Sequence, residues 1–177
     1  MDAIRTTFER NSRALALRPG FGRGTAVTRV KLRDGLACDV EEGAWKFVTD
    51  MSEKSGGKNE GPNPGILGRA ALGGCLAIGY AMWAAKSGVP ISSLEVAVEA
   101  DYDSRGMYGV DGVAPGYTGM RYVVHLESPA SEAEVMRMLD DADAHSDFLH
   151  VFRNPQNVSR EVRLAAPEHQ DASSTAA

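Results

Sequence analysis

A long apolar segment in the middle of the chain constrains the fold more than any other feature. Residues 70–85 carry no charge, and their flanks predict that they belong to a longer helix. Asn63 can cap its start, Pro64 suits the first turn, and Gly88 can end it. Since a helix that is apolar on every side must be buried nearly all round, we expect it at the centre of the fold. In a chain of 177 residues, only curved sheets or a second subunit can cover such a helix, which favours a homodimer.

Glycines interrupt this predicted helix. Gly73, Gly74 and Gly79 lie in its interior, and each costs roughly 1 kcal/mol of helix propensity relative to alanine. A residue without a side chain lets a neighbouring backbone approach closely. We therefore expect another part of the protein to pack tightly against the helix near Cys75, which lies among these glycines.

Shorter predicted elements surround the central helix. One amphipathic helix is predicted over 3–17 and another over 131–145, where Ser131 and Glu134 can form a capping box. Asp34-Gly35 is a strong hairpin signal. The β-rich or alternating runs that predict strands are 25–32, 36–40, 44–50, 94–103, 120–128 and 157–164. Strands in runs with intervening helices indicate the α+β class.

Composition and charge limit the class of protein. A net charge of −5 and a pI near 5.4 argue against a nucleic-acid partner. The N-terminal residues lack the apolar core of a secretory signal, and the uncharged run is short for a membrane span, so we expect a cytoplasmic protein without membrane contact. Two cysteines without zinc-ligand spacing predict neither a disulfide scaffold nor a metal site. No sequence feature indicates an organic cofactor.

Cys75 is the first candidate for chemistry, and its position has two interpretations. It is either a small buried hydrophobe or a reactive thiolate, and the second requires an electropositive partner. Arg69 lies six residues upstream, off the face to which Cys75 points. Arg33 in the predicted hairpin is the better candidate partner, although it also fits the pattern of a solvated turn residue.

Three aromatic residues have two interpretations as well. Tyr80, Trp83 and Tyr117 either fill the core or line an apolar pocket near the thiol. The sequence leaves both open.

Three motifs in the sequence resemble those of a known family. Residues 56–64 read GGKNEGPNP, a helix with a central cysteine follows and leaves through Gly-Val-Pro at 88–90, and an HS…NP pattern spans 145–155. Together they resemble the OsmC/Ohr family, the osmotically induced protein C and organic hydroperoxide resistance proteins. The resemblance covers residues 25–164 as a single domain. It leaves an N-terminal helix and linker at 1–24 and a tail at 165–177 that we expect to be disordered.

The resemblance implies both a fold and an activity. The implied fold is an intertwined α+β homodimer in which two six-stranded sheets enclose two central helices. In active members the helix thiol attacks an organic hydroperoxide and becomes a sulfenic acid. A second cysteine then forms a disulfide, which a dithiol such as a lipoyl group reduces. An arginine on the first hairpin stabilises the thiolate and is held by a glutamate in the first turn of the helix.

Two of these four positions are retained here. Cys75 matches the peroxide-attacking cysteine, and Arg33 matches the arginine. Gly65 stands where the glutamate is expected, and Ser146 stands where the resolving cysteine is expected.

The two replaced residues leave alternatives open. A sulfenic acid at Cys75 would have to react with an external thiol, or with Cys38 if that strand lies close. Arg33 would have to be ordered by Asp34 or Glu60 instead.

Two functions from different classes therefore follow. The first is a one-cysteine thiol peroxidase that reduces a small organic hydroperoxide through Cys75, with an external thiol or lipoyl dithiol as reductant. The alternative is a non-catalytic dimer whose thiol pocket binds a small apolar or electrophilic ligand. A third possibility is that Cys75 is inert packing in a protein that keeps only the fold.

Overall fold

A computed structural model describes residues 2–164 of the chain. The tail at 165–177, expected to be disordered, lies outside the described residues. The helices are α1 (Asp2–Leu17), α2 (Pro64–Ser87), α3 (Ser104–Met107), α4 (Glu132–Asp143) and α5 (Asp147–Arg153). The strands are β1 (Arg29–Leu32), β2 (Cys38–Glu42), β3 (Trp45–Thr49), β4 (Ser93–Tyr102) and β5 (Tyr117–Glu127). The predicted α+β class is confirmed.

Helix α2 begins and ends as its sequence predicts. The side chain of Asn63 accepts a hydrogen bond from the Ile66 N–H at 3.0 Å, and Pro64 occupies the first turn. Gly88 adopts a left-handed conformation with φ of 76°, and its N–H bonds to the Ala84 carbonyl. A residue with a side chain would be strained at that φ, so the helix stops there.

One antiparallel sheet precedes α2 in the sequence, and a second antiparallel sheet follows it. Strands β1, β2 and β3 form one sheet in that order, and β4 pairs with β5 in the other. Helix α2 packs against the β4–β5 sheet, against α4 and α5, and against α1. The core of buried side chains between these elements is Leu72, Leu76, Tyr80, Ala84, Val89, Met138, Ala142 and Leu149. Cys75 therefore lies on the helix that forms the centre of this core.

The glycines of α2 are explained at one position. A Cβ on Gly73 would lie 3.2 Å from the Cγ2 atom of Val98 on β4, which is tighter than an ordinary contact. The predicted close approach of a neighbour is thus confirmed there. Around Gly74 and Gly79 the described chain leaves open space.

One chain by itself does not bury α2 on every side. Its buried residues share one side, whereas Ile66, Ile78 and Met82 are exposed, Ile78 by 64%. The β1–β2–β3 sheet does not cover this other side. Of the described helices, α2 alone is long and apolar enough to cross a membrane, a property that it shares with core helices of soluble proteins.

The C-terminal segment also differs from its prediction. Residues 157–164 form no strand, and Val158, Val162 and Leu164 are exposed. A strand requires a hydrogen-bonded neighbour, and this segment has none in the described part of one chain. Within the described part of one chain the sheets hold three and two strands, whereas the six-stranded sheets that the resemblance implies belong to the homodimer. Sequence patterns also missed the short helices α3 and α5.

We expect Leu76→Ala to destabilise the protein by about 3 kcal/mol. Leu76 is 1% exposed, so removal of its side chain leaves a cavity in the core. Urea unfolding at fixed protein concentration measures this. Leu17→Ala, at a residue that is 77% exposed, should change the free energy of unfolding by less than about 0.5 kcal/mol. Equal effects of the two variants would contradict the described core.

Candidate active site

The sulfur of Cys75 lies against the hydroxyl of Ser146. Cys75 is half-buried near the middle of α2, and its Sγ is 3.4 Å from Ser146 Oγ. Ser146 is buried, at 9% exposure. The residue at the position expected for a resolving cysteine is thus in contact with the candidate nucleophile, in agreement with the alignment of motifs.

The start of α5 sets the orientation of the Ser146 hydroxyl. Ser146 is the N-cap of α5, and its Oγ accepts a hydrogen bond from the Leu149 N–H at 3.3 Å. Since the oxygen is already an acceptor there, its own proton is free to point to the sulfur of Cys75. The hydroxyl can therefore stabilise negative charge on that sulfur.

A cavity of about 700 Å³ lies about one helical turn from this pair. Its walls include Leu72 and Leu149, each one turn from a member of the pair, but neither member of the pair lines it. The guanidinium groups of Arg121 and Arg153 line it as well. The cavity is thus of mixed polarity, with hydrocarbon, hydroxyl and cationic groups at its walls.

Arg33 is held by two carboxylates. Its Nε and Nη2 donate to Asp39 Oδ1 at 2.9 and 2.6 Å, and its Nη1 donates to Glu60 Oε2 at 3.0 Å. The hydrogen bond from Arg33 is the main cause of the lowered pKa of Asp39. Of the two anchors expected from sequence, Glu60 is confirmed. Asp34 is wrong, because it pairs with Lys58 at 3.5 Å instead.

Sequence reasoning missed Asp39 as an anchor. The strand register could have indicated this contact. Lys31 lies opposite Asp39, and Arg33, two residues after Lys31, belongs to the same face. The register depends on the length of the turn between the two strands, which the Asp34-Gly35 signal did not fix.

The structure does not bring Arg33 and Cys75 together within one chain. In the described residues, the hydrogen bonds of the Arg33 guanidinium all go to Asp39 and Glu60. Arg33 lies on the β1–β2 hairpin, and Cys75 lies in the layer formed by α2 and the other sheet. Cys38 belongs to the sheet of Arg33, and its Sγ contacts the Leu36 carbonyl at 3.8 Å.

Asp50 organises the loop that carries Glu60 to Arg33. It is 2% exposed, and its carboxylate accepts hydrogen bonds from the N–H groups of Met51, Lys58 and Glu60 at 2.7 to 3.1 Å. The loop is tight, because a Cβ on Gly57 would lie 2.0 Å from the Met51 carbonyl oxygen. Sequence reasoning placed Asp50 at a strand end and missed this role.

The aromatic residues take separate positions. Tyr117 donates a hydrogen bond to the Gly65 carbonyl at 3.2 Å and accepts one from Arg69 at 3.4 Å. The Arg69 side chain thus contacts Tyr117 at the start of α2 and not Cys75. Trp83 packs against Phe8 of α1 with ring centroids 5.6 Å apart. Tyr80 is buried in the core, where its hydroxyl donates a hydrogen bond to Asp143.

The family of the chain follows from comparison with known proteins. A family model of OsmC-like proteins matches residues 57–161, which is more than half of the chain. The chain belongs to the OsmC-like protein family. The matched region contains Cys75 and Ser146, whereas Arg33 and α1 lie before it.

Solved structures share the fold of this OsmC-like protein at low identity. An OsmC-like protein from Mycoplasma pneumoniae is 14% identical, with a TM-score of 0.61 over 73% of this chain and 88% of that one. An organic hydroperoxide resistance protein OsmC from Legionella pneumophila is 14% identical, with a TM-score of 0.54 over 73% and 90%. One from Elizabethkingia anophelis, with thiocyanate bound, is 15% identical, with a TM-score of 0.53 over 74% and 89%. No curated protein sequence matches this chain significantly.

The pH dependence of stability should reveal the role of Asp50. Burial raises its pKa, but the N–H groups of Glu60, Lys58 and Met51 lower it more, so the pKa lies below the usual value. The stability that Asp50 contributes is therefore complete above the pKa of the unfolded state and is lost as the pH falls through the lowered pKa. We expect wild type to lose more thermal stability than Asp50→Asn between about pH 6 and about pH 3.

Asp34→Asn is the matched control for this measurement. Asp34 is almost fully exposed in its pair with Lys58, so the variant should follow the wild-type pH profile. An Asp50→Asn profile parallel to wild type would contradict the anchoring role of Asp50.

Proposed function

We propose that this protein is a cytoplasmic one-cysteine thiol peroxidase that reduces small organic hydroperoxides through Cys75. The observation that carries the proposal is the 3.4 Å contact of the Cys75 sulfur with the Ser146 hydroxyl. Membership of the OsmC-like family and the names of the Legionella and Elizabethkingia proteins support it. The proposed activity concerns peroxides with an organic group, because those two proteins are named organic hydroperoxide resistance proteins.

The proposed reaction has two stages. The Cys75 thiolate attacks the distal oxygen of the hydroperoxide, the O–O bond breaks, and the products are the sulfenic acid and, after proton uptake, an alcohol. An external thiol then attacks the sulfenic sulfur and releases water. A second thiol reduces the mixed disulfide and regenerates Cys75. A lipoyl dithiol would supply both thiols from one molecule.

Ser146 fits a one-cysteine cycle. Its oxygen cannot form a disulfide, so it cannot resolve the sulfenic acid. The hydroxyl lies against the sulfur instead, at 3.4 Å from it. The proposed reductant is therefore an external thiol.

We also propose that the active form is a homodimer. Val30, Leu32, Trp45 and Phe47 share one face of the β1–β2–β3 sheet by register, and all four are exposed. The uncovered side of α2 is apolar as well. A second copy would cover both surfaces with one interface, and an apolar area of this kind on a single chain is typical of an association surface.

The homodimer would supply what one chain lacks. Arg33 stands on the uncovered sheet, held in a fixed orientation by Asp39 and Glu60. The register puts the Arg33 side chain on the polar face of that sheet. In a homodimer packed through the apolar face, Arg33 would therefore reach Cys75 of the second copy only around the hairpin end of the sheet. The exposed segment 157–164 would gain a strand partner in the same assembly.

The alternative function is ligand binding without turnover. The observation that favours it is the pairing of Arg33, whose guanidinium bonds are taken by two carboxylates in the chain. An arginine that is neutralised in this way stabilises a thiolate less. Such a protein would bind a small apolar or electrophilic molecule in the cavity about one helical turn from Cys75.

Chemical trapping separates the two functions. Cumene hydroperoxide followed by dimedone should give one adduct on Cys75, and Cys75→Ser should give none. Cys38→Ala is the matched control and should react like wild type. Arg33→Ala should slow adduct formation by about tenfold, because a charge-assisted hydrogen bond to the thiolate is lost, whereas Arg29→Ala on the same strand should not.

Turnover with dithiothreitol and with a lipoyl dithiol completes this experiment. Absence of an adduct on Cys75 would remove the peroxidase function and leave the binding function. A sulfenic acid that dimedone still traps after treatment with either reductant would also favour binding.

Light scattering after size exclusion tests the homodimer. Wild type should have the mass of two chains, and Phe47→Glu should shift it towards one chain, because a charge on the apolar face cannot be buried unpaired. Lys46→Glu places the same acid on the opposite, polar face of β3 and should remain dimeric. Wild type with the mass of a single chain would end the dimer proposal.

A further inference from the structure

Asp143 binds two tyrosine hydroxyls from different elements. It is the last residue of α4, and its Oδ1 accepts from Tyr80 of α2 at 2.7 Å. Its Oδ2 accepts from Tyr122 of β5 at 2.5 Å. Tyr80 is 1% exposed, so the cluster reaches into the core. One carboxylate therefore ties the end of α4 to the helix of Cys75 and to the sheet.

The tyrosines remain donors over the physiological pH range. Burial is the main cause of the raised pKa of both hydroxyls, and the carboxylate of Asp143 adds to it. Each tyrosine therefore keeps its proton and donates it to Asp143. Both oxygens of the carboxylate are occupied, which fixes its orientation as well as its position.

The anchored residue lies directly before the turn that presents Ser146. The Asp143 carbonyl accepts from the Ser146 N–H at 3.3 Å. The ring of His145, between them, packs on Trp83 of α2 with centroids 4.6 Å apart. The turn from α4 to α5 is thus fixed to α2 at two points on the N-terminal side of Ser146.

We propose that Asp143 is a positioning residue that keeps Ser146 against Cys75 through the hydroxyls of Tyr80 and Tyr122. Ser146 touches the sulfur across two helices that are not consecutive in the chain, so the 3.4 Å contact depends on the placement of α5 relative to α2. The carboxylate sets this placement. The catalytic meaning of the proposal rests on the proposed function, but the geometry that it describes is independent of peroxide chemistry.

An engineered thiol pair measures this geometry directly. In a Cys38→Ala background, Ser146→Cys places a second thiol beside Cys75. Equilibration with glutathione disulfide converts the two protein thiols into one disulfide and releases two glutathione thiols. The ratio of the species gives the effective concentration of one protein thiol at the other, which depends on how well they are held together.

We expect Tyr80→Phe and Tyr122→Phe each to lower this effective concentration by about fivefold, since each removes one hydrogen bond to Asp143. The double variant should lower it further. Tyr117→Phe is the matched control, because its hydroxyl also joins β5 to α2 but contacts Gly65 rather than Asp143. It should stay within about twofold of the parent.

The outcomes are distinct. Unchanged effective concentration in both tyrosine variants, with folding verified by circular dichroism, would overturn the proposal. An equal loss in Tyr117→Phe would also overturn it, since the effect would then be general loosening. If Tyr80→Phe does not fold, the half-buried Tyr122 still provides the test. Failure of wild type to react with hydroperoxide would end the proposed function and leave this result intact.

Discussion

Burial of one apolar helix governs the rest of the structure. Helix α2 has hydrocarbon on most of its surface, and β4, α1, α4 and α5 leave part of it exposed. Exposing that apolar surface to water costs free energy, and the proposed homodimer would cover it. Gly73 contributes to this burial, because the absence of a side chain there lets Val98 of β4 pack closely against the helix.

The candidate site uses the position of this helix. Cys75 lies where the covered and uncovered sides of α2 meet, so its sulfur touches Ser146 without being sealed in the core. Arg33 is prepared separately, by Asp39 and Glu60, on a sheet that does not pack on α2 of its own chain. The two groups lie apart within one chain, and the proposed homodimer would bring them together.

Replacement of a cysteine by Ser146 changes the chemistry more than the geometry. The hydroxyl keeps the contact with the sulfur, and the cap of α5 keeps the residue in place. What is lost is the ability to form a disulfide, because oxygen cannot replace sulfur in that bond. In the proposed reaction an oxidised Cys75 would react with an external thiol. The proposed anchoring of the α4–α5 turn by Asp143 would set the distance between Ser146 and the sulfur of Cys75.

Local sequence determined the helices with strong caps, the hairpin at Gly35 and the α+β class, because capping and turn preferences act over a few residues. The family motifs also identified Cys75 and the serine opposite it. Only the tertiary structure decided that Asp39 anchors Arg33, that Asp50 shapes its loop, and that Asp143 joins Tyr80 to Tyr122. Each of these carboxylates finds donors from other turns or other elements. Such pairings depend on packing and register, which no local pattern specifies, and for the same reason the predicted strand at 157–164 has no partner in the part of the chain that the structure describes.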